Sequence, residues 1–347
     1  MNKLKALSLL LCAVLCMSCE NPFLKCLLPE NAPEVSAPAP APVEKDVAVL
    51  TLSPDRPVIR VMVTTADGSS VTVKGCTEAT LASGTETFLH AQGTRVTLKG
   101  KITELRCRNN KLTALDVQGL PLQELYCAEN RLASLDVQGL PLQTLYCGGN
   151  QLTSLDVQGL SDLRYLACVR NQLKSLNAQG CAALQRLDCR DNQLTSLNVQ
   201  GCSALQTLIC ERNQLKSLDV QGLPLQTLYC GGNQLTSLDV QGLSDLRYLS
   251  CGHNQLTSLD VRGCSALQGL DCYKNKLDAA AFISIFDALP DYSGQLYGAL
   301  CTVYSTEPGE GNCTNFNSPP ELQTAFNGAK TKNWKMYKKT GTEWQEI

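Results

Sequence analysis

The chain repeats itself nine times in register, and this period constrains its fold more than any other feature. From Ile102 the pattern is L-x-x-L-x-C-x-x-N-x-L-x-x-L-D-V-x-G. Its cysteines are Cys107, Cys127, Cys147, Cys168, Cys189, Cys210, Cys230, Cys251 and Cys272. Its asparagines follow three residues later, at Asn110, Asn130, Asn150, Asn171, Asn192, Asn213, Asn233, Asn254 and Asn275. The step is 20 residues where GLPL replaces GLSDL or GCSAL, and 21 elsewhere, so the deletion falls in one turn. Residues 141–168 and 224–251 differ only at Ala167 and Ser250, which marks internal copying. A copy this short cannot bury its own leucines, so the copies must stack. Each copy predicts one short strand at x-L-x-C-x, a turn, and a second extended stretch at L-x-x-L-D-V that is too short for a full helix. Eight steps at the spacing of a β-sheet predict a parallel ladder of about 40 Å with modest curvature.

The rows of identical residues have a chemical and a structural reading. Nine thiols in line could suggest a metal or redox array. A straight row does not converge on a metal ion, however, and in-register stacking at ~4.8 Å exceeds the ~3.8 Å Cβ separation of a disulfide. Cysteine also buries readily as a small apolar residue, so free, inert core thiols are expected. The asparagines are expected to bond backbone groups in the turns of their own and neighbouring copies. A third row contains Asp116, Asp136, Asp156, Asn177, Asn198, Asp219, Asp239 and Asp260. Its carboxylates could hold a hard cation, but accepting hydrogen bonds within each turn is the simpler role. Cys181, Cys202 and Cys264 replace a turn leucine and are expected to be small core residues.

With this period, L-x-x-L-x-[apolar]-x-x-N-x-L is the signature of leucine-rich repeats. The fuller pattern, with Cys at the apolar position and L-D-V after it, resembles the cysteine-ladder leucine-rich repeats of internalin J. It equally resembles the internalin-related surface lipoproteins of the Bacteroidales. The resemblance is strong over residues 102–277 and weaker on either side. It implies a cell-surface protein that contacts host proteins or other cells, without specifying a ligand. The anchor departs from internalin J, with a lipobox-like start in place of a C-terminal cell-wall sorting signal.

The flanks divide into further segments. Lys3 and Lys5 precede an apolar run, Ala6 to Met17, that ends at Ser18-Cys19. This start resembles the lipobox of bacterial lipoproteins, except that Cys16 stands where Leu, Val or Ile is usual. The resemblance implies a signal peptide over 1–18 and lipidation at Cys19; ordinary secretion with a free Cys19 is the alternative. Residues 19–46 are expected to be a tether, rich in Pro and Ala over 27–46, with a reach of roughly 60 Å if extended. Residues 47–100 contain β-branched runs broken by Pro and Gly and predict a small all-β N-terminal cap. Residues 101–277 are the repeats. Residues 278–347 predict an α+β C-terminal cap, which an open solenoid end requires. Within it, Asp278 is expected to cap a helix bearing Phe282, Ile285, Phe286 and Leu289. Ser318 and Glu321 have capping-box spacing ahead of a second helix bearing Leu322, Ala325, Phe326 and Ala329. A hairpin is expected around Gly341. Exported proteins meet oxidising conditions, so if two cap cysteines are bridged, Cys301 and Cys313 are the expected pair. The fold expected is therefore a mostly β leucine-rich-repeat solenoid, a parallel ladder of about nine short repeats with little helix between two caps.

The outward positions of the strands are those the repeat leaves free to vary, and they form the expected concave ligand-binding face. The candidates are Arg106, Tyr126, Tyr146, Tyr165, Asp188, Tyr229, Tyr248 and Asp271. Tyrosine and arginine are frequent interface anchors. The net charge of −2 lacks the basic field a nucleic-acid partner needs. His90 and His253 are the only histidines, and the mature chain contains no phosphate loop, zinc spacing or nucleophile motif. The expectation is a non-enzymatic binding protein without cofactor or metal, lipid-anchored at the bacterial outer membrane and exposed at the surface. Its expected ligand is a protein of a host or neighbouring cell. The alternative is a glycan-binding or nutrient-capture lipoprotein.

Overall fold

The computed structural model describes residues 45–347. The expected signal peptide (1–18), Cys19 and the tether as far as residue 44 lie outside the described residues. The first six strands are β1 (Val47–Leu52), β2 (Val58–Thr65), β3 (Val71–Lys74), β4 (Thr80–Leu81), β5 (Thr87–His90) and β6 (Arg95–Lys99). Period-two alternation gives each a buried face, as with Ile59, Val61 and Val63 in β2. Gly75 has φ +85°, and a Cβ there would lie 2.2 Å from the Arg95 carbonyl oxygen, so the turn after β3 demands glycine. These strands pair directly onto the first repeat. β1 pairs with β6 and with β8 (Leu112–Asp116), and β2 pairs with β5 and β7 (Ile102–Arg106), all antiparallel. The first strands thus continue both sides of the solenoid.

From β7 each repeat adds one parallel strand to a single sheet. They are β9 (Glu124–Tyr126), β10 (Thr144–Tyr146), β11 (Tyr165–Ala167), β13 (Arg186–Asp188), β15 (Thr207–Ile209), β16 (Thr227–Tyr229), β17 (Tyr248–Ser250) and β18 (Gly269–Asp271). The register stacks Leu105, Leu125, Leu145, Leu166, Leu187, Leu208, Leu228, Leu249 and Leu270 into one buried column. On the return side only β8, β12 (Ser175–Asn177) and β14 (Ser196–Asn198) are strands; the rest is turn and extended chain. The glycine closing each D-V-x-G stretch has positive φ. At Gly263 a Cβ would also come within 2.9 Å of Gly242, so at this turn the neighbouring repeat leaves no room for a side chain.

The ladders are structural. All nine repeat cysteines are free and fully buried, and burial pushes the Cys107 and Cys210 thiols up to about 12. From Asn130 onward each asparagine joins two turns. Asn150 Nδ2 donates to the carbonyls of Cys147 (2.9 Å) and Cys127 (3.1 Å), while its Oδ1 accepts from Leu132 N–H at 3.0 Å. The same three bonds recur along the row, for example at Asn192. This satisfies backbone groups that burial would otherwise leave unpaired at about 1–3 kcal/mol each. The aspartate row is also engaged locally, with Asp116, Asp136 and Asp156 each accepting the N–H of the residue two positions on. Gln118, Gln138 and Gln221 reach across to the carbonyls of Asp136, Asp156 and Asp239. Cys181, Cys202 and Cys264 are buried, and each thiol donates to a carbonyl of the preceding repeat.

The C-terminal segment continues the sheet. Helix α1 (Ala279–Ala288) starts at Asp278, whose carboxylate accepts Ala281 N–H at 2.9 Å. Then come β19 (Ala299–Ser305), α2 (Pro320–Thr331), β20 (Trp334–Thr340) and β21 (Glu343–Glu346). β19 and β20 extend the parallel ladder, and β21 closes a hairpin through Gly341, φ +59°. Phe282, Ile285, Phe286 and Leu322 seal the end of the core. Two expectations need correction. The Ser318 capping box does not form; α2 takes Pro319 as N-cap, one residue later, with no side-chain cap bond. The Cys301–Cys313 bridge is absent, and both thiols are free. Cys301 points into the core in register with Leu270 and is hydrogen-bonded to Cys272. The Cys313 thiol turns instead to the Asn315 carbonyl.

Candidate binding face

Parallel pairing without slippage carries every other strand residue onto the outer face in straight rows. Arg106, Tyr126, Tyr146, Ala167, Asp188, Ile209, Tyr229, Ser250, Asp271 and Thr302 form one row. Glu104, Glu124, Thr144, Tyr165, Arg186, Thr207, Thr227, Tyr248, Gly269 and Leu300 form the row beside it. The eight candidates thus share one face, in two main groups.

The first group lies at the N-terminal end. Tyr126 and Tyr146 stack with ring centroids 5.2 Å apart and planes 11° from parallel. The Arg106 guanidinium lies 4.6 Å over the Tyr126 ring, giving a cation–π–π stack across three strands. Two carboxylates orient it: Tyr126 Oη donates to Glu124 at 2.7 Å, and Arg106 Nε donates to Glu104. Burial, then the Glu124 hydrogen bond, push the Tyr126 phenol well above its ordinary value. Tyr146 ends the stack with 37% of its surface exposed.

The second group lies at the other end, where Tyr229, Tyr248 and Asp271 meet Leu300, Tyr337 and Trp344. The last three come from the C-terminal segment, so that segment contributes to the face as well as closing the core. An exposed tryptophan in the terminal hairpin was the available signal.

Between the groups, Tyr165 is 40% exposed and donates to Gln185 at 3.1 Å. Asp188 departs from expectation: it is on the face but only 6% exposed. Its carboxylate sits 3.3 Å from the Arg190 guanidinium, and burial raises its pKa despite that charge. It therefore holds Arg190 beside the hollow that both residues line. Along the turn edge, Arg108, Glu129, Arg170, Asp191, Glu211 and Arg212 rim a hollow of about 510 Å³ over Gly148 and Gly149. Arg212 pairs with Asp191 at 3.4 Å there. Among the described residues, no cluster of three or more His, Cys, Asp or Glu is placed to hold a metal ion.

A family model for leucine-rich repeats, in two copies, matches residues 225–261. The solenoid is built of leucine-rich repeats. Among solved structures, the functional domain of InlJ from Listeria monocytogenes, described as including a cysteine ladder, is 29% identical with a TM-score of 0.49. The match covers 63% of this chain and 53% of that one. YopM from Yersinia pestis, a leucine-rich effector protein, is 24% identical with a TM-score of 0.50, over 60% of this chain and 61% of that one. The chain thus spans between half and two thirds of the length of these leucine-rich-repeat structures. No curated protein matches the sequence. No helix among the described residues is long and apolar enough to cross a membrane.

Proposed function

We propose that this chain is a cell-surface binding protein that recognises a protein of a host or neighbouring cell through the outer face of its repeat sheet. The observation that carries the reading is the Arg106–Tyr126–Tyr146 stack. It combines the side-chain types that dominate interface energies, and neighbouring carboxylates hold them in place before any partner arrives. The charged hollow beside it supplies polar partners of both signs. The face is carried on a hydrogen-bonded ladder, so little ordering remains to be done on binding. No acid–base set converges among the described residues, and the reading assigns the chain no catalysis. Export and a lipid on Cys19 would place this face outside the cell on its tether. Cys19→Ala is expected to release the protein from the membrane fraction into the medium.

The binding test measures adhesion of cells displaying the chain to immobilised host extracellular-matrix proteins. Replacing Arg106, Tyr126 and Tyr146 together by Ala is expected to weaken capture by at least about tenfold, as for a lost interface anchor. Undiminished adhesion by the folded triple variant would contradict this use of the face.

A further inference from the structure

A bowl of about 450 Å³ opens on the outer face where the last repeats meet the C-terminal strands. The sheet register builds it. Tyr229, Ser250, Asp271 and Thr302 lie in one row, and Tyr248, Gly269 and Leu300 in the next. Ser250, Gly269, Asp271 and Thr302 make a floor of small residues between larger side chains. Gly269 is the clearest case, since a Cβ there would come within 2.9 Å of the Tyr248 ring. Tyr229 and Tyr248 form one wall. Tyr337 and Trp344, from the terminal hairpin, form the other, and Trp344 is 56% exposed.

The polar groups are few and placed at the floor. Thr302 is hydrogen-bonded to the Asp271 carboxyl, which has no ion-pair partner among the described residues. The Ser250 hydroxyl makes no hydrogen bond among the described residues. One cation stands at the rim. Lys339 Nζ bonds Tyr273 Oη at 2.9 Å and lies 4.7 Å over that ring and 5.5 Å from the Trp344 ring centroid. Its charge offsets that of Asp271, so an entering cation would meet repulsion and an entering anion would meet Asp271. A neutral ligand with one apolar face and hydroxyls at its edge meets neither. A sugar ring is such a ligand: its axial C–H groups suit the electron-rich faces of Tyr and Trp, and its hydroxyls suit a carboxylate and a serine.

We propose that this bowl is a glycan site that takes a single neutral pyranose ring between Tyr248 and Trp344, with Asp271 accepting hydrogen bonds from its hydroxyls. The site lies at the opposite end of the sheet from the Arg106–Tyr126–Tyr146 stack, so the two stand or fall separately. It also gives the C-terminal strands a second task beyond closing the core.

The test applies the full chain to immobilised neutral glycans, then titrates it calorimetrically with the methyl glycoside of the terminal sugar that binds. A ring of this size should bind with Kd on the order of 1 mM. Asp271→Asn and Trp344→Ala should each weaken it by at least about tenfold, with Trp344→Phe restoring most of the loss. Gly269→Ala narrows the bowl without removing any contact group, and should weaken binding even if the tryptophan variant fails to fold. Arg106→Ala with Tyr126→Ala should leave glycan binding unchanged. Tetramethylammonium chloride and N-acetyl-lysine amide serve as cationic competitors. Failure of every neutral glycan, equal binding by Asp271→Asn and Gly269→Ala, or stronger binding of the cations than of any sugar would overturn the proposal.

Discussion

At the N-terminal end of the ladder a backbone strand closes the first repeat, whereas at the C-terminal end side chains do. Arg60 in β2 donates its N–H to Asn110 Oδ1 at 2.9 Å and accepts from Asn110 Nδ2 at 2.8 Å. Main chain thus stands where a preceding repeat would stand. At the far end the last repeat has no successor to receive its turn N–H groups. The Glu310 carboxylate replaces one, accepting the N–H groups of Lys274, Ser305, Gly311 and Asn312. Asn312 then acts as a tenth rung: it donates to the carbonyls of Cys272 (2.9 Å) and Val303 (2.8 Å), and accepts from Leu277 at 2.9 Å. An antiparallel strand can turn both its donor and its acceptor toward the ladder, so it needs no particular side chain. The parallel end leaves donors on one side, where an anion satisfies several at once, and carbonyls on the other, which the Asn312 amide satisfies.

Mutations can break this contrast. Asn312→Ala removes three bonds to buried backbone and should cost about 3 kcal/mol in guanidinium unfolding; a loss below about 1 kcal/mol would deny it the role of a rung. Glu310→Gln keeps the shape but loses the charge and half the accepting oxygens, and should cost about 2 kcal/mol by the same measurement. Arg60→Ala is the counterpart at the other end and should change stability by no more than about 0.5 kcal/mol. Its main chain makes the ladder bonds, and its guanidinium forms only an exposed pair with Glu86, at 2.7 Å. A large loss at Arg60 would mean that the N-terminal closure also depends on a side chain.

The same contrast explains what could be read from the sequence. The repeat period determined strand positions, the inward leucines and thiols, and which residues share a face, because a copied unit that cannot fold alone has one way to stack. Asp278 and the apolar face of α1 were legible for local reasons, a cap and a helical spacing. Asn312 was not legible, because the eight residues 304–311 separate it from Val303 and erase the three-residue step from thiol position to asparagine. The absence of a Cys301–Cys313 bridge was not legible either, since it depends on Cys301 taking the place of a core leucine in register with Leu270. On the binding face the positions were evident, but their accessibility was not. Asp188 is buried by its neighbours, and Tyr337 and Trp344 reach the face only through the terminal hairpin.

The sealed interior is tested most directly by mapping alkylation of each cysteine by mass spectrometry across a denaturant series near pH 8. With burial raising the thiols well above their ordinary value and no water contact, Cys107 to Cys272 of the ladder should stay unlabelled in the native protein and become reactive together at the unfolding midpoint, while the partly exposed Cys313 labels first. Rapid labelling of several ladder thiols in the folded state, or recovery of any two of them as a disulfide, would contradict the account.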